Sequence, residues 1–258
     1  MIPDAHDLHL YLKTQILGRQ FHCFETVDST NRVALELLRD GAIEGTTVLA
    51  TAQTSGRGSS GRDWQSAPGG MYLSVILRPS LALENIYQLT LVAAYGIVRS
   101  LSRVSGIDIR LKWPNDLVIQ QAGKLGKVGG ILTETRIQGG VLSGAVIGVG
   151  INWQNPVPDV GVRLGSLSRT PLDVTLLAAT VLSGLEESYF TWQARGPASI
   201  INGYERYLIN LGQPVRTPGH DGEGHIIGID AQGALRVLFL DGTQTLLAPH
   251  GCSLGYRT

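Results

Sequence analysis

Two arginines, Arg57 and Arg62, bracket Gly58-Ser59-Ser60-Gly61 inside the stretch QTSGRGSSGRDWQS, residues 53–66. Glycine lets a backbone approach a ligand closely, and backbone amides with guanidinium forks suit phosphate or carboxylate oxygens. The lysine-containing pattern of the common phosphate loop is missing. Trp64 adds a ring that can stack on a planar base or cover an apolar ligand. A solvated surface loop whose arginines meet water is the competing account. A second cluster, KWPND at 112–116, sets a cation, an aromatic, a rigid proline, an amide and a carboxylate side by side. Asp116 could hold magnesium, an ion that prefers oxygen and is shared between a carboxylate or two and substrate phosphates. Lys112 could neutralise a phosphate. The alternative is a β-turn punctuated by Pro114 and Asn115.

In GKLGKVGGILTE, residues 123–134, Lys127 is a better chemical candidate than Lys124, because Gly129 and Gly130 beside it permit close ligand approach. DSTN at 28–31 reads either as helix capping or as hydroxyls and an amide facing a polar ligand head. GVGIN at 148–152 lacks the third glycine and the following helix of a dinucleotide fingerprint, and that reading is rejected. His6 and His9 are near neighbours, yet no further ligand pair joins them into a metal site. Neither a G-x-S-x-G elbow nor a catalytic-cysteine signature is present.

These residues need a scaffold, and 258 residues with 43% hydrophobic content suffice for a sizeable core. Acidic and basic side chains balance at 21 each, which argues against broad nucleic-acid or anionic-membrane binding. Cys23 and Cys252 lie far apart, so free thiols are expected, with one disulfide between the chain ends as a lesser alternative. No signal peptide or membrane span is legible, and a soluble cytoplasmic protein is expected.

Periodicity predicts a helix over about 4–18, a strand at 20–27, a helix over 28–42, strands at 46–54 and 71–79, and a long helix over 84–105 that tolerates Gly96. Short β-rich segments IRLKWP, DLVIQ, VGGILTETR and VLSGAVIGVGINW follow as neighbouring strands. Helices are expected at 173–192 and 197–210. From Gly212 the texture changes to short strands divided by PGHDG, DAQG and DG turns. The expected organisation is α+β, with a unit over 1–210 and a small β-barrel-like unit over 211–258.

Taken in order, DSTN, QTSGRGSSGRDWQS, YLSVILRP, KWPNDL, GKVGGILTE and IGVGINW resemble the biotin protein ligases over roughly residues 25–155. The resemblance implies a mixed sheet flanked by helices, like a class II aminoacyl-tRNA synthetase, with a small C-terminal SH3-like barrel. It implies that biotin and ATP give biotinyl-5′-adenylate, and that a lysine of a biotin carboxyl carrier domain, typically of acetyl-CoA carboxylase, then takes the biotinyl group. Ser29, Thr30, Asn31 and Gln53 would then contact biotin. Gly56, Arg57, Gly58 and Ser59 would line its carboxylate and the adenylate phosphate, with Arg62 in support and Trp64 closing the loop. Lys112, Asn115 and Asp116 would fall on the ATP and magnesium side, Lys127 at the reacting carboxylate and phosphate, and Asn152 at the nucleotide pocket. The implied catalytic set is Lys127, Arg57 and Asp116. Ser59 and Ser60 stand where many members carry basic or bulky residues, which puts in question how tightly the adenylate is held. The N-terminal region is too short for the DNA-binding domain of the repressor-type members, so no DNA binding is expected, and the oligomer is either a monomer or a homodimer. A lipoate or octanoate ligase and a non-catalytic biotin sensor are the rival readings.

Overall fold

Strands β1 (Phe21–Val27), β2 (Thr47–Gln53), β3 (Met71–Leu77), β4 (Arg110–Lys112), β5 (Asp116–Gln121), β6 (Lys124–Gln138) and β7 (Val141–Ile151) pair into one sheet. The computed structural model describes residues 5–121, 123–158, 160–217, 220, 222–249 and 254. The strand order is β1-β2-β3-β7-β6-β5-β4. β1 and β2 are parallel and every other pair is antiparallel, which is the mixed α+β sheet expected.

The two-residue period of a strand divides this sheet into two faces. On β3, Leu73, Val75 and Leu77 point into the main core, beneath helices α3 (Gln88–Ser105) and α4 (Val174–Arg195). Ile76 points the other way, where Ala34 and Leu38 of α2 (Thr30–Arg39) meet Val48 and Val146. Each fully buried Leu or Ile stabilises the fold by about 1.5–3 kcal/mol relative to an exposed one. The functional candidates occupy the α2 face, beyond the end of that helix's apolar contact.

α3 and α4 cross at glycines. A Cβ on Gly96 would lie 2.1 Å from the Gly184 carbonyl oxygen, and one on Gly184 would lie 2.4 Å from that of Gly96. This explains a glycine inside the strongest helix of the sequence. Helix propensity alone favours replacing it, by up to about 1 kcal/mol. Overpacking at this crossing costs more, so Gly96→Val is expected to lower stability by roughly 2–3 kcal/mol. Urea unfolding checks this, and an unchanged midpoint would refute the tight crossing.

Helix α1 (Ala5–Tyr11) stops well short of the expected residue 18. The amides that would have continued a helix are taken by one carboxylate: Gln15, Ile16 and Leu17 donate to Glu186 at 2.5, 2.8 and 2.8 Å. Helix α5 (Ala198–Tyr207) also ends earlier than predicted, and among the described residues the passage over 155–171 holds one short 3-10 turn, Leu164–Ser166.

The four C-terminal runs form strands β8 (Pro214–Arg216), β9 (Glu223–Ile229), β10 (Leu235–Leu238) and β11 (Gln244–Leu247). Among the described residues they make an antiparallel sheet in the order β11-β10-β9-β8, the small β-unit expected there. Val215, Ile226, Leu235 and Val237 share one continuous core with the larger sheet and its helices. Polar ties reinforce the junction. The Trp113 indole donates to the Gly233 carbonyl at 2.9 Å, and the Ile229 amide donates to Glu205 at 2.9 Å. Cys252 and the side chain of His6 lie outside the described residues. No helix among the described residues is long and apolar enough to cross a membrane.

Candidate active site

Strand alternation brings Tyr72 and Ser74 of β3, Gly130, Leu132 and Glu134 of β6, and Gly148 and Gly150 of β7 to one face. A cavity of about 160 Å³ opens there, bounded on one side by Ser29, Thr30 and Asn31 and on another by Arg57, Ser59, Arg62 and Trp64. Gln53, Gly58, Asn115 and Lys127 complete the expected residues in its wall.

The floor is a network of neutral hydrogen-bonding groups. The Ser74 hydroxyl is shared between Asn31 Oδ1 at 2.6 Å and Thr30 Oγ1 at 2.8 Å. Thr30 donates from its amide and hydroxyl to Gln53 Oε1, at 2.8 and 3.1 Å. Gln53 Nε2 donates to Ser66 Oγ at 2.7 Å, and Ser66 donates to the Trp64 carbonyl at 3.0 Å. DSTN is therefore more than a helix cap: Ser29 caps α2 by position without a side-chain hydrogen bond. Thr30 and Asn31 instead turn their side chains to the floor.

The mouth is cationic. The loop folds on itself through an isolated bridge between Arg57 and Asp63, and the Gly58 amide donates to the Arg62 carbonyl at 2.7 Å. Arg62 returns to the Ser59 hydroxyl and carbonyl at 2.8 and 3.1 Å. Ser60 takes a left-handed backbone (φ 57°), unusual for a non-glycine residue. The Arg57 guanidinium pairs with Glu134 at 2.9 Å. Trp64 lies over Gly130 and Gly150, where an added Cβ would come within 3.2 and 2.7 Å of its ring.

Lys127 stands opposite these cations because β6 carries a bulge there. Lys127 pairs with Val118 and Gly129 with Leu117, so Val128 is the extra residue. Such a bulge re-aims a side chain at a site edge. The Lys127 backbone is pinned as well: its amide donates to Val160 at 2.7 Å, while Val162 and the Asn152 side chain donate to its carbonyl at 2.9 and 3.0 Å. The ammonium sits 2.6 Å from Asp116 and 4.8 Å from the centre of the Trp64 ring.

Four expected residues do not form the cavity wall. Gly56 closes the loop instead, its carbonyl accepting from the Trp64 amide at 2.9 Å. Asn152 spends its amide on the Lys127 carbonyl, and so positions that lysine rather than facing a ligand. Lys112, 3% exposed, lies behind the wall, 4.0 Å from Asp116, and donates to the Leu254 carbonyl. Burial holds its pKa below the usual lysine value, an effect that Asp116 opposes. Asp116 itself is 9% exposed and engaged by two lysines. Magnesium at Asp116 does not fit these donors: it would have to displace Lys127, and no group of carboxylates adjoins among the described residues. Among the described residues no three side chains of metal-binding type gather anywhere.

Sequence reasoning passed over Ser74, Tyr72 and Glu134. Ser74 carried a signal, as the lone polar residue in the otherwise apolar run MYLSVIL. Glu134 carried none, because an acid late in an exposed-looking strand end reads as a solvated charge.

A neutral hydrogen-bonding floor beneath a cationic mouth, on a mixed sheet flanked by helices, describes a site that holds an acid by its head and presents its anion for activation. The comparisons make this specific. A family model described as the biotin/lipoate A/B protein ligase family matches residues 23–152, and the chain belongs to that family. It is 33% identical to the bifunctional ligase/repressor BirA of Bacillus spizizenii, over 89% of this chain and 72% of that one. It is 34% identical to the biotin–[acetyl-CoA-carboxylase] ligase of Paracoccus denitrificans, over 81% and 90% of the two chains. Among solved structures it resembles the biotin protein ligase of Aquifex aeolicus in complex with biotin and ATP, with a TM-score of 0.74 at 28% identity, covering 90% and 97% of the chains.

Proposed function

We propose that this protein is a biotin protein ligase, and that it joins biotin to ATP and then to a lysine of a biotin carboxyl carrier domain of acetyl-CoA carboxylase. The observation that carries this is the polarity of the cavity, with Thr30, Asn31, Gln53 and Ser74 at the floor and Arg57 and Lys127 above. A ureido ring offers donors and acceptors to such a floor. A lipoyl or octanoyl chain offers none, and would leave the remaining donor and acceptor capacity of these groups unused. A sensor without catalysis would have no need of Lys127 on a bulge or of the buried Lys112–Asp116 ion pair beside it.

In the first step a biotin carboxylate oxygen attacks the α-phosphorus of ATP. A P–O bond forms, the bond to the bridging oxygen breaks, and pyrophosphate leaves. Two anions must meet, and Arg57 and Lys127 offset their repulsion and the charge that builds as they react. In the second step the neutral amine of the acceptor lysine attacks the acyl carbon. A C–N bond forms, the C–O bond to AMP breaks, and the amine proton passes to solvent. The mixed anhydride hydrolyses if water reaches it, so the 53–66 loop acts as a lid.

Residues 1–210 are proposed as the catalytic unit and 211–258 as a small β-unit engaging ATP or the acceptor, in a cytoplasmic enzyme. Incubation with biotin, ATP, magnesium and a carboxyl carrier domain should add one biotinyl group to the carrier by mass. Lipoyl or octanoyl addition in its place would move the assignment within the family, and no addition would sink it.

The loop's central serines give a further expectation. Ser59 accepts from Arg62 and lines the cavity without a charge of its own. Ser59→Arg, which adds a cation beside the phosphate, is expected to slow the escape of biotinyl-adenylate by roughly tenfold, an effect typical of a charge-assisted hydrogen bond. Equal escape rates in a release assay would remove the idea.

A further inference from the structure

Starting from Arg57, the hydrogen bonds of the site can be followed through the floor and back into the loop. Arg57 pairs with Glu134 Oε1 at 2.9 Å, and Asn31 Nδ2 donates to Glu134 Oε2 at 2.8 Å. Asn31 accepts from Ser74, Ser74 touches Thr30, Thr30 donates to Gln53, and Gln53 reaches Ser66 and the Trp64 carbonyl. Both ends of this path lie in the 53–66 loop, and its middle lies in the cavity floor. Glu134 is the one charged member of the path that comes from the sheet, and one carboxylate oxygen serves each side.

We infer that Glu134 is a positioning residue for biotin activation: through one oxygen it sets the Asn31 amide for the ligand's head, and through the other it holds Arg57 ready for the ligand's carboxylate. The chemistry of the two contacts allows this. A guanidinium has five N–H donors in a planar fork, so one NH₂ on Glu134 leaves further donors for a second anion. Ser74 holds Asn31 Oδ1, so Glu134 receives the amide's NH₂ and fixes which way the amide points. The Glu134 side chain is 19% exposed against 50% for Arg57, which makes the sheet residue the anchor and the loop residue the guest. The inference rests on the biotin-ligase reading, with Glu134 acting before any bond is made.

Glu134→Gln separates the two arms. A glutamine oxygen still accepts from Asn31, while its NH₂ cannot accept from Arg57. The full-length variant is expected to raise KM for biotin about tenfold, as the loss of a charge-assisted contact would, with kcat changed less than about twofold. In an Arg57→Ala background the same substitution should change KM by less than about twofold, since its partner is gone. Glu134→Ala, which also frees Asn31, should raise KM in both backgrounds. A second readout needs no catalysis: in the ligand-free protein, trypsin should cut after Arg57 faster in Glu134→Gln, with cutting after Lys124 unchanged. Equal KM effects in the two backgrounds, or a KM that falls because a repelling charge has gone, would overturn the role of Glu134. Wild-type protein that releases no pyrophosphate with biotin and ATP would instead overturn the ligase reading, and the trypsin comparison would still judge the Arg57–Glu134 contact.

Discussion

Lys127→Ala is expected to lower biotin- and ATP-dependent pyrophosphate release by roughly 1,000-fold, the range seen when one preorganised charge-stabilising donor is removed. The bulge at Val128 and the contacts from Val160, Val162 and Asn152 hold this residue's backbone before substrate arrives. Its ammonium therefore does not have to be organised during the reaction, and its charge acts where negative charge gathers in the transition state. The fold should survive. Asp116 keeps Lys112 at 4.0 Å, so the buried carboxylate is not left without a cation. Lys124, exposed at the start of β6, makes a matched control, and Lys124→Ala should retain the wild-type rate. Pyrophosphate release measured on both variants decides the matter. Near-normal release by Lys127→Ala with loss in Lys124→Ala would transfer the role to Lys124.

The contrast between these two lysines shows how far the sequence reaches. The glycines after Lys127 marked it out, and the structure places it in the cavity wall. What the sequence could not express was the bulge, because an extra residue in a strand has no local signature and becomes visible only against the partner strand. The same limit explains Asp116 and Asn152. A carboxylate and an amide inside motifs read naturally as ligand contacts. Their partners, Lys127 Nζ and the Lys127 carbonyl, both belong to β6, a strand that neither motif contains. The strands themselves were legible because alternation is local, and so was the small C-terminal sheet with its turn residues. The end of α1 was not legible, since Glu186, some 170 residues away, takes the amides that would have extended it.

Gly148→Ala is expected to raise KM for biotin by roughly 30- to 100-fold while leaving the sheet intact. GVGIN fails as a dinucleotide fingerprint, and the geometry supplies another reason for its first glycine. A Cβ on Gly148 would sit 2.0 Å from Asn31 Oδ1 and 2.8 Å from its Cγ. These atoms cannot yield slightly, because Asn31 is 4% exposed and held at both ends, by Ser74 at 2.6 Å and by Glu134 at 2.8 Å. An alanine must push the amide off both partners. Two hydrogen bonds at about 1 kcal/mol each, with the one to the Glu134 carboxylate charge-assisted and therefore stronger, make up about 2–3 kcal/mol, or 30- to 100-fold in binding. Residue 148 lies between β3 and β6 with its backbone in both ladders, opposite Ser74 and Leu132, and alanine accepts that extended conformation. The loss should therefore appear in KM for biotin and leave KM for ATP within about twofold, since no atom displaced by the methyl faces the cationic mouth. Steady-state pyrophosphate release with each substrate varied in turn tests this. A biotin KM near the wild-type value would mean that Asn31 does not read the ligand's head, and the floor would then have to be assigned to Thr30 and Gln53 alone.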